Sequence, residues 1–231
     1  MPRVVSWNML GGGNWTYMRQ MLTATDPDVL CVQECGQALY NFTPTGVAGV
    51  QQALVNFGTA DSPLVYEIYH WANPSTQYSL AILTRITPTN LFLNAAPAIA
   101  GVGAGALRPI LGIGVNLAGA NWTIGNLHAP SVFSATGPQI VAYGQAAYAG
   151  VAAAAPMGAP WACLGDWNTS SAALLAGIAG NAAVNAPYAT HQGGYAIDYL
   201  VTTNPMPAAI NPVGYSNLPF AADHVPVAFQ W

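Results

Sequence analysis

Hydrophobic residues fall in short, mostly continuous runs punctuated by Gly, Pro, Asn and Asp. That pattern predicts strands at residues 3–7, 29–33, 65–70, 79–84, 109–115, 122–127, 162–165, 196–201 and 225–229. Continuous runs, as opposed to strict alternation, suit strands covered on both faces. Longer stretches at 15–24, 139–155 and 172–178 predict helices, the second introduced by Pro138 in its first turn. Asp26-Pro27-Asp28 reads as a turn between a helix and a strand. Strands and helices intermix with no repeat and no linker, so residues 1–231 are expected to form a single layered α/β domain.

The ends of the runs carry the chemistry. Polar islands interrupt or follow the apolar segments: Ser6-Trp7-Asn8, Gln33-Glu34, Asn126-Leu127-His128, Gly165-Asp166-Trp167-Asn168, Ile197-Asp198-Tyr199 and Ala222-Asp223-His224. The chain holds only 8 acidic and 4 basic residues among its 231. Burying an unpartnered carboxylate, amide or imidazole costs several kcal/mol. A chain that nearly abandons charge but keeps these groups at strand ends is keeping them for a reaction.

Composition narrows the partners. At 53% hydrophobic residues the chain is not of the disordered class. No apolar stretch reads as a membrane span; the Ala-rich segment 146–155 is too short, and no signal peptide is visible at the start. Three Cys do not suggest a disulfide framework, and all three are expected to be structural thiols, with Cys35 the more accessible. There is no Lys, and Arg3, Arg19, Arg85 and Arg108 are the only fixed cations against a net charge of −4. That is a thin footprint for a protein that grips a polyanion by charge.

Taken in order, the islands resemble the motifs of the endonuclease/exonuclease/phosphatase superfamily, whose fold is that of deoxyribonuclease I. Val4-Val5-Ser6-Trp7-Asn8 looks like its first-strand motif, Val29-Leu30-Cys31-Val32-Gln33-Glu34 like its metal-carboxylate strand, and Asn126-Leu127-His128-Ala129-Pro130 like the segment of its first catalytic His. Leu164-Gly165-Asp166-Trp167-Asn168 is similar to its G-D-x-N signature, and Ile197-Asp198-Tyr199 and Ala222-Asp223-His224-Val225-Pro226-Val227 to its last two motifs. Trp7-Asn8-Met9-Leu10-Gly11, Cys31-Val32-Gln33-Glu34-Cys35-Gly36 and the segment 107–113 further resemble the catalytic subunits of cytolethal distending toxins. The resemblance implies a four-layered α/β sandwich, two packed mixed β-sheets flanked by helices. It also implies a Mg²⁺-dependent phosphodiesterase, with Mn²⁺ or Ca²⁺ as substitutes, that acts on DNA as a toxin's catalytic subunit beside delivery or binding subunits.

Phosphodiester hydrolysis needs an activated water, charge relief on the phosphoryl oxygens and stabilisation of the leaving oxygen. Glu34 is a hard oxygen ligand for the metal, with Asn8 and Asp223 completing or supporting its site. Asp166 orients or deprotonates the water, and Asn168, two residues on in an extended segment, shares its face and holds a phosphate oxygen or the nucleophile. His224 binds the phosphate, and Asp198 holds its imidazole in one tautomer and raises its pKa. His128 is a second phosphate donor or the acid for the leaving group, and Arg108 clamps the phosphate. Glu67 is a candidate to orient His128, whereas His70 and His191 match no motif and read as structural or exposed.

Two departures from the toxin pattern bear on substrate. Residues 129–155 contain no Arg, and Gly193-Gly194-Tyr195-Ala196 stands where many relatives carry a basic residue. The thin cationic grip keeps a second substrate open, a phosphorylated lipid cleaved as by the superfamily's phosphoinositide phosphatases. A catalytically silent binding subunit is the reading from another class, and the six motifs argue against it.

Overall fold

The computed structural model describes residues 1–37, 40–73, 78–203, 210–214 and 223–231. One sheet has the order β13 (Asn211–Gly214), β14 (Val227–Gln230), β1 (Arg3–Asn8), β2 (Val29–Gln33), β6 (Leu80–Thr84), β5 (Val65–Trp71), β4 (Val50–Asn56) and β3 (Thr43–Pro44). The other has the order β11 (Asn181–Asn185), β12 (Asp198–Thr203), β10 (Trp161–Asp166), β9 (Ala120–His128), β8 (Ile110–Leu117) and β7 (Asn90–Asn94). Both are mixed: β1 runs parallel to β2 and β9 parallel to β10, while the other pairs are antiparallel.

Period-2 geometry explains why the central strands are continuously apolar. Val29 and Cys31 of β2 point into the core between the sheets, with Val4, Leu111, Leu164, Leu200 and Phe229. Leu30 and Val32 point outward to Trp7, Met18, Met21 and Leu22, the last three from helix α1 (Met18–Thr25). On the other sheet Leu164 faces inward, whereas Cys163 and Tyr199 meet Ile140, Tyr143, Ala147 and Val151 of helix α2 (Gly137–Ala154). The result is helix, sheet, sheet, helix, the four-layered sandwich expected.

The inward face changes character towards one end. Following Val4, the inward positions of β1 are Ser6 and Asn8; following Cys31, Gln33; following Ile124, Asn126 and His128; following Leu164, Asp166. The polar islands are therefore the mouth end of the intersheet layer. Gln33 and Asn126 close its floor: Gln33 Nε2 donates to Asn126 Oδ1 at 2.7 Å, and Asn126 Nδ2 donates to the carbonyls of Val32 and Ala81, both at 2.9 Å. Both side chains are fully buried and cross-link the sheets. Leaving either partner unpaired costs about 1–3 kcal/mol per group.

Several elements differ from expectation. The apolar pattern does not mark the edge strands β3, β7, β11 and β13 or the next-to-edge strand β4; β4 and β7 carry exposed or half-exposed residues that break the apolar run. The expected helix 15–24 begins as a 3₁₀ segment, Gly12–Tyr17, before α1. The expected helix 172–178 is a single turn, α3 (Ser171–Leu174), capped by Ser170 Oγ accepting from the Ala173 N–H; Gly177 at φ 72° takes the chain out of helical geometry. Strand β14 starts two residues later than expected, after Pro226, which has no N–H for the ladder. All three Cys are free and buried, including Cys35, which is not the accessible thiol expected. Among the described residues no helix is long and apolar enough to cross a membrane.

Candidate active site

Strand register assembles the centre. Asp166 at the end of β10 sits opposite His128 of β9 on one side and Asp198 of β12 on the other. Gly165 makes this approach possible, because a Cβ there would lie 2.0 Å from the Leu127 carbonyl oxygen. Behind the turn, buried Trp167 donates Nε1–H to the Tyr199 carbonyl at 2.9 Å and stacks on the Tyr199 ring. Asn168 then takes a left-handed φ of 51°, which Asn tolerates. Its backbone N–H donates to Asp166 Oδ1 at 2.9 Å, and its Nδ2 to the Ala129 carbonyl at 3.0 Å.

The second Asp166 oxygen is the hub. Asn8 Nδ2 from the other sheet donates to Oδ2 at 3.1 Å, with His128 Nε2 at 3.5 Å and His224 Nε2 at 3.6 Å. Asn8 Oδ1 accepts the Leu10 N–H, so its amide NH₂ faces both Asp166 and Glu34, the latter at 3.4 Å. Glu34 Oε1 is also 3.4 Å from His128 Nε2. Glu34 follows β2 in a left-handed conformation, φ 50°, at a cost of about 1–3 kcal/mol for such a residue; its carbonyl is pinned by the Gly11 N–H at 2.7 Å. His224 Nδ1 donates to Asp198 Oδ2 at 2.8 Å. Thr190 Oγ1, buried, accepts the N–H groups of Ile197 and Asp198 and fixes that strand end.

The environment separates the titrating groups. Burial, then the charge of Asp198, pushes Asp166 up to about 7 against the pull of His224. Burial alone would depress His224, but its hydrogen bond to Asp198 and the charges of Asp198, Asp166 and Asp223 push it up to about 9. Burial, with the charges of Arg108 and His224, holds His128 well below an ordinary His. Burial raises Glu34, opposed by the Asn8 hydrogen bond and Arg108. The site thus favours the charged form of His224 and the neutral form of His128, whose Nε2 faces the carboxylates of Glu34 and Asp166.

The remaining predicted residues lie around this cluster. Arg108 is buried behind His128, with Nη1 donating to the carbonyls of His128 (3.2 Å) and Ala129 (2.8 Å) and its guanidinium 4.0 Å over the Tyr78 ring. One arm of its fork is engaged, and Nε is buried without a partner among the described residues. Asp223 lies at the rim, its Oδ1 3.9 Å from His224 Nε2. Glu67 does not reach His128: its register partner is Thr84, itself paired with Val29, which puts it at the opposite end of the sheet, where it accepts from Tyr69 Oη. His70 is structural as expected, bonded through Nε2 to the Gly36 carbonyl and stacked on Phe42. His191, read as structural or exposed, instead packs edge-on against His224 and lies beside Asp223.

Residues 5–224 match the model of the Endonuclease/Exonuclease/phosphatase family. The chain belongs to that family. Solved structures of family type share its fold. The Haemophilus ducreyi cytolethal distending toxin superposes with TM-score 0.77 at 21% identity, over 98% of this chain and 96% of that one. The biologically active subunit of cytolethal distending toxin does so at 0.77 and 22%, over 99% and 96%. A Neisseria 3′ phosphatase bound to product DNA hairpin superposes at 0.63 and 14%, over 100% and 99%. No curated protein matches the sequence.

Family enzymes are hydrolases that depend on a divalent metal. The residues present fit such an ion. Burial raises Glu34, with the charge of Asp223 adding to it, and Asp223 Oδ1 is buried with no hydrogen-bond partner among the described residues. These are hard oxygen donors in need of a cation, the chemistry of Mg²⁺-class ions.

Proposed function

We propose that this chain is a Mg²⁺-dependent phosphodiesterase, a DNA endonuclease serving as the catalytic subunit of a toxin, with residues 1–231 as its single domain. The observation that carries the reading is the convergence on Asp166 Oδ2 of Asn8, His128 and His224 from both sheets, within 3.6 Å. The fold shared with cytolethal distending toxin supports the toxin assignment and a partnership with delivery subunits.

In this reading Glu34, supported by Asn8 and Asp223, holds the ion, which when bound relieves negative charge on the phosphoryl oxygens. Asp166, poised near neutrality, takes the proton of the attacking water through Oδ2, while its Oδ1 stays fixed by Asn168. The water oxygen bonds to phosphorus as the in-line bond to the ester oxygen breaks, and that oxygen leaves with the electron pair and takes a proton from solvent. His224, held as imidazolium by Asp198, donates Nε2–H to a non-bridging oxygen as charge develops. His128, neutral, donates Nε2–H from the opposite side. Arg108 supplies positive charge from behind His128, its unpaired Nε and free arm serving the phosphate.

A second reading, phosphoinositide phosphatase on the same site, draws support from the placement of the cations. Arg85 is bound to Asp26 and Asp28 at the end of the sheet remote from the site, Arg3 begins β1 at that same end, and Arg19 is exposed on α1. Only Arg108 stands at the centre, which suits a small phosphate headgroup better than a long polyanion. Plasmid nicking and phosphate release from inositol lipids, each with Mg²⁺ and with EDTA, separate the two. Nicking without lipid hydrolysis supports the nuclease, the reverse supports the phosphatase, and neither activity supports a silent binding subunit.

A further inference from the structure

His191 has no part in the steps above, yet the fold builds a rigid loop to hold it at the site. Its N–H and that of Thr190 donate to the Tyr195 carbonyl, the Gly194 N–H returns to the His191 carbonyl, and the Gln192 N–H donates to the Asp223 carbonyl at 2.9 Å. The ring packs edge-on against His224, centroids 4.8 Å apart, and lies tilted to the Tyr195 ring at 6.5 Å. Gly193 lets both rings close down, since a Cβ there would lie 2.9 Å from His191 Nδ1 and 3.0 Å from the Tyr195 ring.

The tautomer follows from one hydrogen bond. His191 Nδ1 accepts the Gly193 N–H at 2.9 Å, so the neutral ring carries its proton on Nε2. That Nε2 lies 3.5 Å from Asp223 Oδ2. The other oxygen, Oδ1, is buried, unpartnered among the described residues and 3.9 Å from His224 Nε2. His191, Asp223 and His224 each offer an atom within 4.8 Å of the others, a spacing that suits a three-residue metal site. The donor geometry opposes it, because a metal on His191 Nε2 would need the ring proton on Nδ1, which already accepts the Gly193 N–H.

We propose that His191 is a positioning residue: its Nε2–H holds Asp223 Oδ2 and thereby aims Oδ1 into the site as an oxygen donor for the divalent ion. The inference rests on the metal role proposed for Asp223. Hydrogen-bond donors behind a ligating side chain are typically worth 10–100-fold in metal affinity.

The test is Mn²⁺ binding, followed by EPR of the free ion, for the wild type, His191→Phe, His191→Gln and Asp223→Asn, with thermal melting as the check on folding. His191→Phe keeps a ring against His224 and Tyr195 and removes the donor; its Mn²⁺ dissociation constant rises about 10-fold. His191→Gln, with an amide donor, recovers part of the loss. Plasmid nicking by His191→Phe shows a raised Mg²⁺ midpoint but a maximal rate within about twofold of wild type, the signature of positioning and not of a group that meets the substrate. If Asp223→Asn weakens Mn²⁺ binding and His191→Phe does not, the inference is overturned and the metal role of Asp223 stands. If neither weakens it, both are overturned. A lowered maximal rate at saturating metal with unchanged Mn²⁺ affinity also overturns it, since His191 then acts on the substrate.

Discussion

Replacing Asp198 with Asn removes the partner that makes His224 an imidazolium. In the metal-free protein His224 stands at about 9 against an ordinary 6.5, and the hydrogen bond and charge of Asp198 lead the forces that raise it against burial. The difference amounts to about 3 kcal/mol at 1.36 kcal/mol per unit. The sign is fixed by the raised value: the contribution is fully present below 6.5, declines as pH rises and is lost through about 9. Asp166, raised from 3.8 to about 7, acts in the same direction but is exhausted by about 7. The fall in stability between about pH 7 and 9 therefore belongs to His224. In Asp198→Asn the His224 value should fall well below 9, since burial is then opposed only by the charges of Asp166 and Asp223. Long-range ¹H–¹⁵N NMR of the imidazole nitrogens in EDTA reads the titration directly, and urea unfolding across the same pH range reads the stability. The reasoning is refuted if His224 in D198N still titrates above about 8, or if wild-type stability is flat from about pH 7 to 9.

Glu34→Gln should cripple activity at limiting Mg²⁺ by removing a charged oxygen ligand; equal rates to wild type at both limiting and saturating Mg²⁺ would take Glu34 out of the metal site. His128→Ala and His224→Ala should each slow turnover by about 10²-fold or more with little change in melting temperature; a variant keeping more than about half the wild-type rate has been given the wrong role. Asn126→Leu strips the bonds to Gln33, Val32 and Ala81 and should destabilise by about 3 kcal/mol, read by urea unfolding, whereas a change under about 1 kcal/mol would contradict the cross-link. If DNA is the substrate, the log–log salt slope of binding should be no steeper than about −4, because Arg108 and His224 are the cations the site offers; a steeper slope would point to a basic partner chain.

The centre of the fold was legible because the central strands are buried on both faces and so leave unbroken apolar runs. The site was legible for a related reason: Asn8, Gln33, His128 and Asp166 occupy the inward parity of their strands just where the apolar sequence ends. Sequence spacing does not reveal which islands meet, as Asn8 and Asp166 do across 158 residues. Peripheral strands such as β4 and β7 leave no apolar signature because their exposed positions dilute the run. Glu67 was misassigned because its position along β5 depends on register, and pairing with Thr84 carries it to the far end. His191 carried one usable sign, its place seven residues before Asp198 with Gly193 and Gly194 between, a turn that folds the segment back onto that motif.

The central claim is that Asp166 is the base of a metal-dependent phosphodiesterase. Single-turnover cleavage of a supercoiled plasmid at saturating Mg²⁺, by wild type and by Asp166→Asn, tests it most directly. Cleavage abolished by EDTA and slowed about 10³-fold in the variant, with the fold intact by circular dichroism, is the predicted result. Cleavage that survives EDTA, or that proceeds in the variant at close to the wild-type rate, would contradict it.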